Sequence, residues 1–197
     1  VQYLQGQGIK VLLSITNGHS QVGWSQFTSQ SDAQAFVNYL KSEVVDKYGL
    51  DGIDIDDEYS NGPANNTSLP MVSTLYKQTM PNKWLTKALW ADAGPFSANW
   101  NGNTLADNLD YGWQMSYGSA PQNTLPPYVG YGMAANTVSQ GFWTGQPSAD
   151  PSANVAWIKA NGYGGVMIFA FQDPGNINLM GELVNDLYGP GNWNKQS

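Results

Sequence analysis

The chain has 197 residues, 41% of them hydrophobic and 13% aromatic, enough for one sizeable core. Its formal net charge of −7 and the lack of any basic run argue against nucleic acid or an anionic membrane as partner. No stretch approaches the roughly 18 apolar residues of a membrane span. Cysteine is absent, so no disulfide contributes, which leaves the compartment open.

In chain order, residues 9–16 form an apolar run of strand length. Ser29 and Ser31 open a helix through Tyr48, with Ala33, Ala35, Phe36, Tyr39, Leu40, Val44 and Val45 at helical spacing. Gly49 stops it, and a strand rich in acids follows. A second helix is predicted over 68–80, ended by Pro81, and a strand over 83–90. A short helical piece near 104–108 precedes a strand over 109–117, and 128–134 reads as the next strand. Residues 150–161 read as a helix with Pro151 in its first turn. A continuous apolar strand over 165–171 leads to a last helix over 177–188, closed by Gly189-Pro190-Gly191. No repeat or linker interrupts 1–197, so one domain is expected. Strand–helix alternation predicts an α/β fold with a parallel sheet and right-handed crossovers. An open doubly wound sheet and a closed (β/α)8 barrel both fit.

The richest stretch is Leu50-Asp51-Gly52-Ile53-Asp54-Ile55-Asp56-Asp57-Glu58-Tyr59. Strand alternation places Asp54, Asp56 and Glu58 on one face, with Ile53, Ile55 and Asp57 on the other. Three carboxylates on one face repel, so shared protons and at least one raised pKa are expected. That is what a carboxylic acid needs to donate a proton near neutral pH. A merely solvated strand edge does not call for the apolar face opposite. An EF-hand loop counted from Asp54 needs Gly where Tyr59 stands, so no metal is expected. The acids fall at the C-terminal end of their strand, where a barrel places its active site. Asp56 and Glu58 lie two apart, with Cα atoms about 6.5–7 Å apart.

Asp51 to Glu58 match the DGxDxDxE signature of glycoside hydrolase family 18. Gly8-Ile9-Lys10-Val11-Leu12-Leu13-Ser14 resembles the strand preceding it in that family, with Ser14 at the usual serine. The segment 44–50 and Asp57-Glu58-Tyr59 resemble bacterial endo-β-N-acetylglucosaminidases of the Endo H and Endo F type. The resemblance runs from about Gly8 to Tyr188 and is closest over 6–60. It implies a (β/α)8 TIM barrel in which 9–16 is the third strand, the acidic strand the fourth and 166–171 the eighth. The first two strands are then absent from this chain, which opens inside a helix-like stretch without a signal peptide. An N-terminally incomplete or processed chain is expected, with upstream residues or a second fragment completing the barrel, since six strands alone leave two unpaired edges.

The resemblance also implies the chemistry: cleavage between the two N-acetylglucosamines of an N-glycan core. Alternatives are a chitinase or chitooligosaccharide hydrolase of the same family, and a non-catalytic chitinase-like sugar-binding protein. In this family the substrate's own 2-acetamido oxygen attacks the anomeric carbon. By resemblance Glu58 is the acid/base, Asp56 orients the acetamido group, and Asp54 behind it shares a proton with Asp56. Asp51 reads as structural. Tyr117 falls where the family's acetamido-binding tyrosine does, and Gln114 lies on the same segment. Family 18 chitinases usually end the eighth strand with Trp; here Phe169 and Phe171 stand instead, both on one face by alternation. Trp90 ends its strand and reads equally as a cleft or a core residue. His19, the only histidine, sits in a Gly/Ser loop and carries no strong expectation. Loops 20–26, 61–67 and 118–127 are expected to set glycan specificity. No cofactor or metal is implied. A secreted protein, monomeric unless a second fragment completes it, is expected. Asn65 and Asn66 open overlapping glycosylation sequons.

Overall fold

The computed structural model describes residues 1–16, 23–58, 64–171 and 174–193. Contacts divide the chain into two units, Val1–Tyr111 and Gly112–Ser197. His19 and Tyr59 lie outside the described residues, as do parts of the predicted loops 20–26 and 61–67.

The first unit begins with α1 (Gln2–Gly6), β1 (Leu12–Thr16) and α2 (Gln30–Tyr39), which continues as a π-helical stretch over Leu40–Asp46. Then come β2 (Gly52–Asp56), α3 (Ser68–Thr79) and β3 (Trp84–Leu89). The predicted start of the long helix is a cap: Asp32 N donates to Ser29 Oγ. β1, β2 and β3 pair in parallel, and one row across them reads Ser14, Asp54, Thr86. Gly52 is required by this packing, because a Cβ there would sit 2.0 Å from the Trp84 carbonyl oxygen. Ile53, Ile55, Leu85 and Leu89 are fully buried, so alternation turns Asp54, Asp56 and Thr86 to the opposite side. Tyr76 of α3 donates its hydroxyl to Trp84 O at 3.0 Å and ties the helix to the sheet.

Asp51 has the structural work that its position suggested. Its Oδ2 accepts from Val11 N and Gln5 Nε2, both at 2.9 Å, and Lys10 Nζ lies 3.2 Å from Oδ1. Burial raises its pKa, but the Val11 amide, Gln5 and Lys10 outweigh that and hold the carboxyl below its ordinary value. Asp51→Ala is expected to cost about 1–2 kcal/mol, since the site is partly screened by solvent. The difference from the parent should be present above the ordinary carboxylate pKa of about 3.9 and fade as pH falls through the lower folded value. Urea unfolding at pH 7 and pH 3 measures it.

After β3 come α4 (Ala93–Ser97), a hairpin of β4 (Asn99–Trp100) and β5 (Asn103–Thr104), and α5 (Leu105–Asn108). The hairpin was not anticipated, although Asn101-Gly102 carries its signal: both have positive φ, 50° and 83°, as a type I′ turn demands.

The second unit holds β6 (Tyr111–Gln114), α6 (Pro121–Thr124), α7 (Pro126–Gly130), a 3-10 turn over Ala135–Thr137, β7 (Val138–Phe142), α8 (Pro151–Ala160), β8 (Gly165–Ile168) and α9 (Pro174–Tyr188). β6, β7 and β8 pair in parallel around a core that includes Val138, Phe142, Val155, Ile158 and Leu183. The strand expected over 128–134 is absent. Pro126-Pro127 start a helical turn instead, and Tyr128 is buried within it. The real strand is Val-Ser-Gln-Gly-Phe, buried at every position. Its polar side chains disguised it: Gln140 Oε1 accepts from Thr124 Oγ1 at 2.7 Å and its Nε2 donates to Gly141 O at 3.1 Å. The chain is thus α/β, with six parallel strands alternating with helices. Among the described residues no helix is long and apolar enough to cross a membrane.

Candidate active site

The acids of β2 are graded by their neighbours. Asp54, the first of the three along the chain, is held by its register partners: Ser14 Oγ donates to Oδ2 at 2.9 Å, and Thr86 Oγ1 donates to Oδ1. Ser14 was expected at the site; Thr86 was not, since only strand pairing shows which residue lies beside Asp54. Asp56, two residues on, is half-buried, and its Oδ1 has no hydrogen-bond partner among the described residues. Burial chiefly pushes its pKa up to about 6, followed by the charge of Glu58 and a hydrogen bond to it, against a lowering by the Lys87 ammonium. Asp56 can therefore hold a proton near neutral pH, with the Glu58 carboxyl in hydrogen-bond reach.

The end of β3 contributes a cation that the sequence reading passed over. Lys87 is 2% exposed, and its Nζ donates to Asp92 Oδ1 at 2.9 Å and to Ala88 O at 2.7 Å. Lys87 is thus a buried positive charge acting on Asp56. Trp90, one residue past β3, is 58% exposed, which removes the core reading.

In the second unit the strand ends carry aromatics. Tyr117 follows β6; its ring stacks on Phe169 at 5.4 Å and meets Trp143 edge-on at 5.8 Å. Trp143 and Phe169 make a third contact at 5.4 Å. Trp143 was missed because β7 itself was missed. Gln114 is buried, and its amide engages Ser116: Ser116 N donates to Oε1, and Nε2 donates to Ser116 Oγ at 3.1 Å. It shapes the turn that leads to Tyr117. Phe169 and Phe171 do not share a strand face as expected. β8 stops at Ile168, and Ala170 adopts φ 57°, which breaks the alternation between them. Both rings are about half exposed. Asn176 of α9, fully buried, holds this bend by donating Nδ2 to Ala170 O at 3.0 Å. Gly141 is needed beside it, since a Cβ there would lie 2.8 Å from the Tyr117 ring.

Parallel strands alternating with helices, with acids at the C-terminal end of one strand, are the arrangement of (β/α) barrel enzymes. The family model for glycosyl hydrolases family 18 matches residues 3–149, and the chain belongs to that family. It is 31% identical over 201 residues to an endo-beta-N-acetylglucosaminidase of Flavobacterium sp. (strain SK1022), covering 96% of this chain and 60% of that protein. It is 34% identical over 206 residues to endo-beta-N-acetylglucosaminidase F1 of Elizabethkingia meningoseptica, covering 94% and 58%. The chain thus spans about three fifths of the length of these relatives. Its fold matches EndoBT-3987 of Bacteroides thetaiotamicron with a TM-score of 0.76 at 24% identity, over 96% of this chain and 45% of that one. The (β/α)8 barrel expected from the sequence is the fold of this family, and six parallel strands of it lie in this chain.

Proposed function

We propose that this chain carries the acid pair of an endo-β-N-acetylglucosaminidase. It would cut the β-1,4 bond between the two N-acetylglucosamines of an N-glycan core, with retention and through an oxazolinium formed by the substrate itself. The observation that carries the reading is Asp56: half-buried, its pKa raised to about 6, hydrogen-bonded to Glu58, with an oxygen left without a partner among the described residues. A buried acceptor without a partner is costly and is satisfied by a donor. An acetamido N–H supplies one. Asp56, once ionised, accepts that N–H and turns the acetamido oxygen toward the anomeric carbon. Glu58 gives its proton to the leaving oxygen and afterwards takes one from water.

The glycan class is supported by relatives. EndoBT-3987 has been crystallised with Man9GlcNAc2Asn as substrate and with Man5GlcNAc as product. The first holds two N-acetylglucosamines on asparagine and the second one, the difference expected of this cut. The Tyr117, Trp143 and Phe169 rings are suited to contact a sugar.

Intact-mass analysis of a high-mannose glycoprotein incubated with the chain is the test. One residual N-acetylglucosamine per site is the expected product. Faster release from soluble chitooligosaccharides than from the glycoprotein would make it a chitinase, and binding without cleavage a sugar-binding relative.

A further inference from the structure

We infer that Trp90 is a sugar-stacking platform beside the acid pair, and that the buried Lys87–Asp92 pair exists to hold it there; this rests on the hydrolase reading above. Strand pairing supplies the position. Ile55 of β2 lies opposite Lys87 of β3. β2 and β3 are neighbours about 4.8 Å apart, so the segments that leave their C-terminal ends toward Glu58 and Trp90 start side by side. Charge ties the same two segments together: Lys87 acts on Asp56, and Asp57 acts on Asp92.

The backbone around Trp90 is costly, and the cost has one visible product. Residues 85–89 are buried, yet Trp90 exposes 58% of its surface. The next residue, Ala91, has φ 53°, a region that residues with a Cβ avoid. Asp92 Oδ2 accepts from Trp90 N at 2.7 Å, while its Oδ1 accepts from Lys87 Nζ. Both side chains of that ion pair are almost fully buried, at 2% and 7% exposure. A buried ion pair stabilises a fold poorly compared with apolar packing, and strained turns gather at ligand sites. Here a buried pair and a strained alanine fix the amide of one exposed indole. A flat aromatic surface next to a carboxylate pair is a match for the C–H face of a pyranose ring, with polar groups fixing its orientation.

The test uses the full chain and a high-mannose glycopeptide as probe, with kcat and KM measured separately. Trp90→Ala should raise KM about tenfold with kcat nearly unchanged, and Trp90→Phe should recover most of that loss. Asp92→Asn should move KM in the same direction, because Trp90 then loses its anchor. A parental KM in Trp90→Ala, while Glu58→Gln is inactive, overturns the platform and leaves the hydrolase reading standing. An Asp92→Asn change confined to kcat overturns the positioning role. No turnover by the parent overturns both readings.

Discussion

Glu58→Gln should lower kcat on a high-mannose glycopeptide by at least about a thousandfold while the protein stays folded and binds the glycan. The amide keeps the size and the hydrogen-bonding outline of the carboxyl but holds no proton to release. Because Glu58 follows the last residue of β2 by two and is not buried, the change costs little stability. Circular dichroism should superpose on the parent, and titration calorimetry with the glycopeptide should return a similar Kd. Unchanged turnover would remove Glu58 from the mechanism. In the parent, kcat/KM should rise about tenfold per pH unit up to a limb near 6, where Asp56 reaches the ionised form that accepts the acetamido N–H. That limb belongs to Asp56, so it should vanish in Asp56→Asn.

Asp56→Asn should separate activity from stability. Turnover should drop about a hundredfold or more, because an amide cannot carry the charge that steadies an oxazolinium. Stability should change in the opposite sense. Asp56 has a folded pKa of about 6, raised above its unfolded value near 3.9. The folded state therefore holds this proton more tightly, a contribution fully present below pH 3.9 and lost as pH rises through 6. At pH 7 the parent keeps a charge there that the fold disfavours, and the asparagine variant does not. The variant should be more stable by about 1–2 kcal/mol at pH 7, after allowance for the half-exposed site, and equal to the parent near pH 4. Denaturant midpoints at the two pH values decide it. Loss of stability along with activity would make Asp56 a structural residue.

Three neighbouring polar groups show what could be foreseen around this pair. Asp54 and Asp56 share a face because a strand alternates, so their grouping is written in their spacing, while Glu58 lies two residues past the end of β2. Thr86 and Lys87 lie more than two dozen residues away, and no local rule puts them beside Asp54 or Asp56. Strand register does so, through contacts between β2 and β3 that begin where Gly52 meets the Trp84 carbonyl. The same limit explains Trp143. Its strand, Val138–Phe142, is half polar by composition and is buried only because Thr124 and Ser116 satisfy Gln140. A period-2 or apolar-run test has nothing to detect there.

Local chemistry alone therefore determined the strand–helix alternation, the start of α2 at Ser29 and the alternation of acids along β2. Each depends on residues within a few positions of one another. Tertiary structure decided the rest: which hydroxyls hold Asp54, which ammonium acts on Asp56, and that Trp90 is solvent-exposed. It also broke the Phe169–Phe171 alternation by placing Ala170 at φ 57° over a buried Asn176. Those outcomes turn on desolvation and on partners distant in sequence, and a burial cost or a Coulomb interaction has no value until the fold sets the distances.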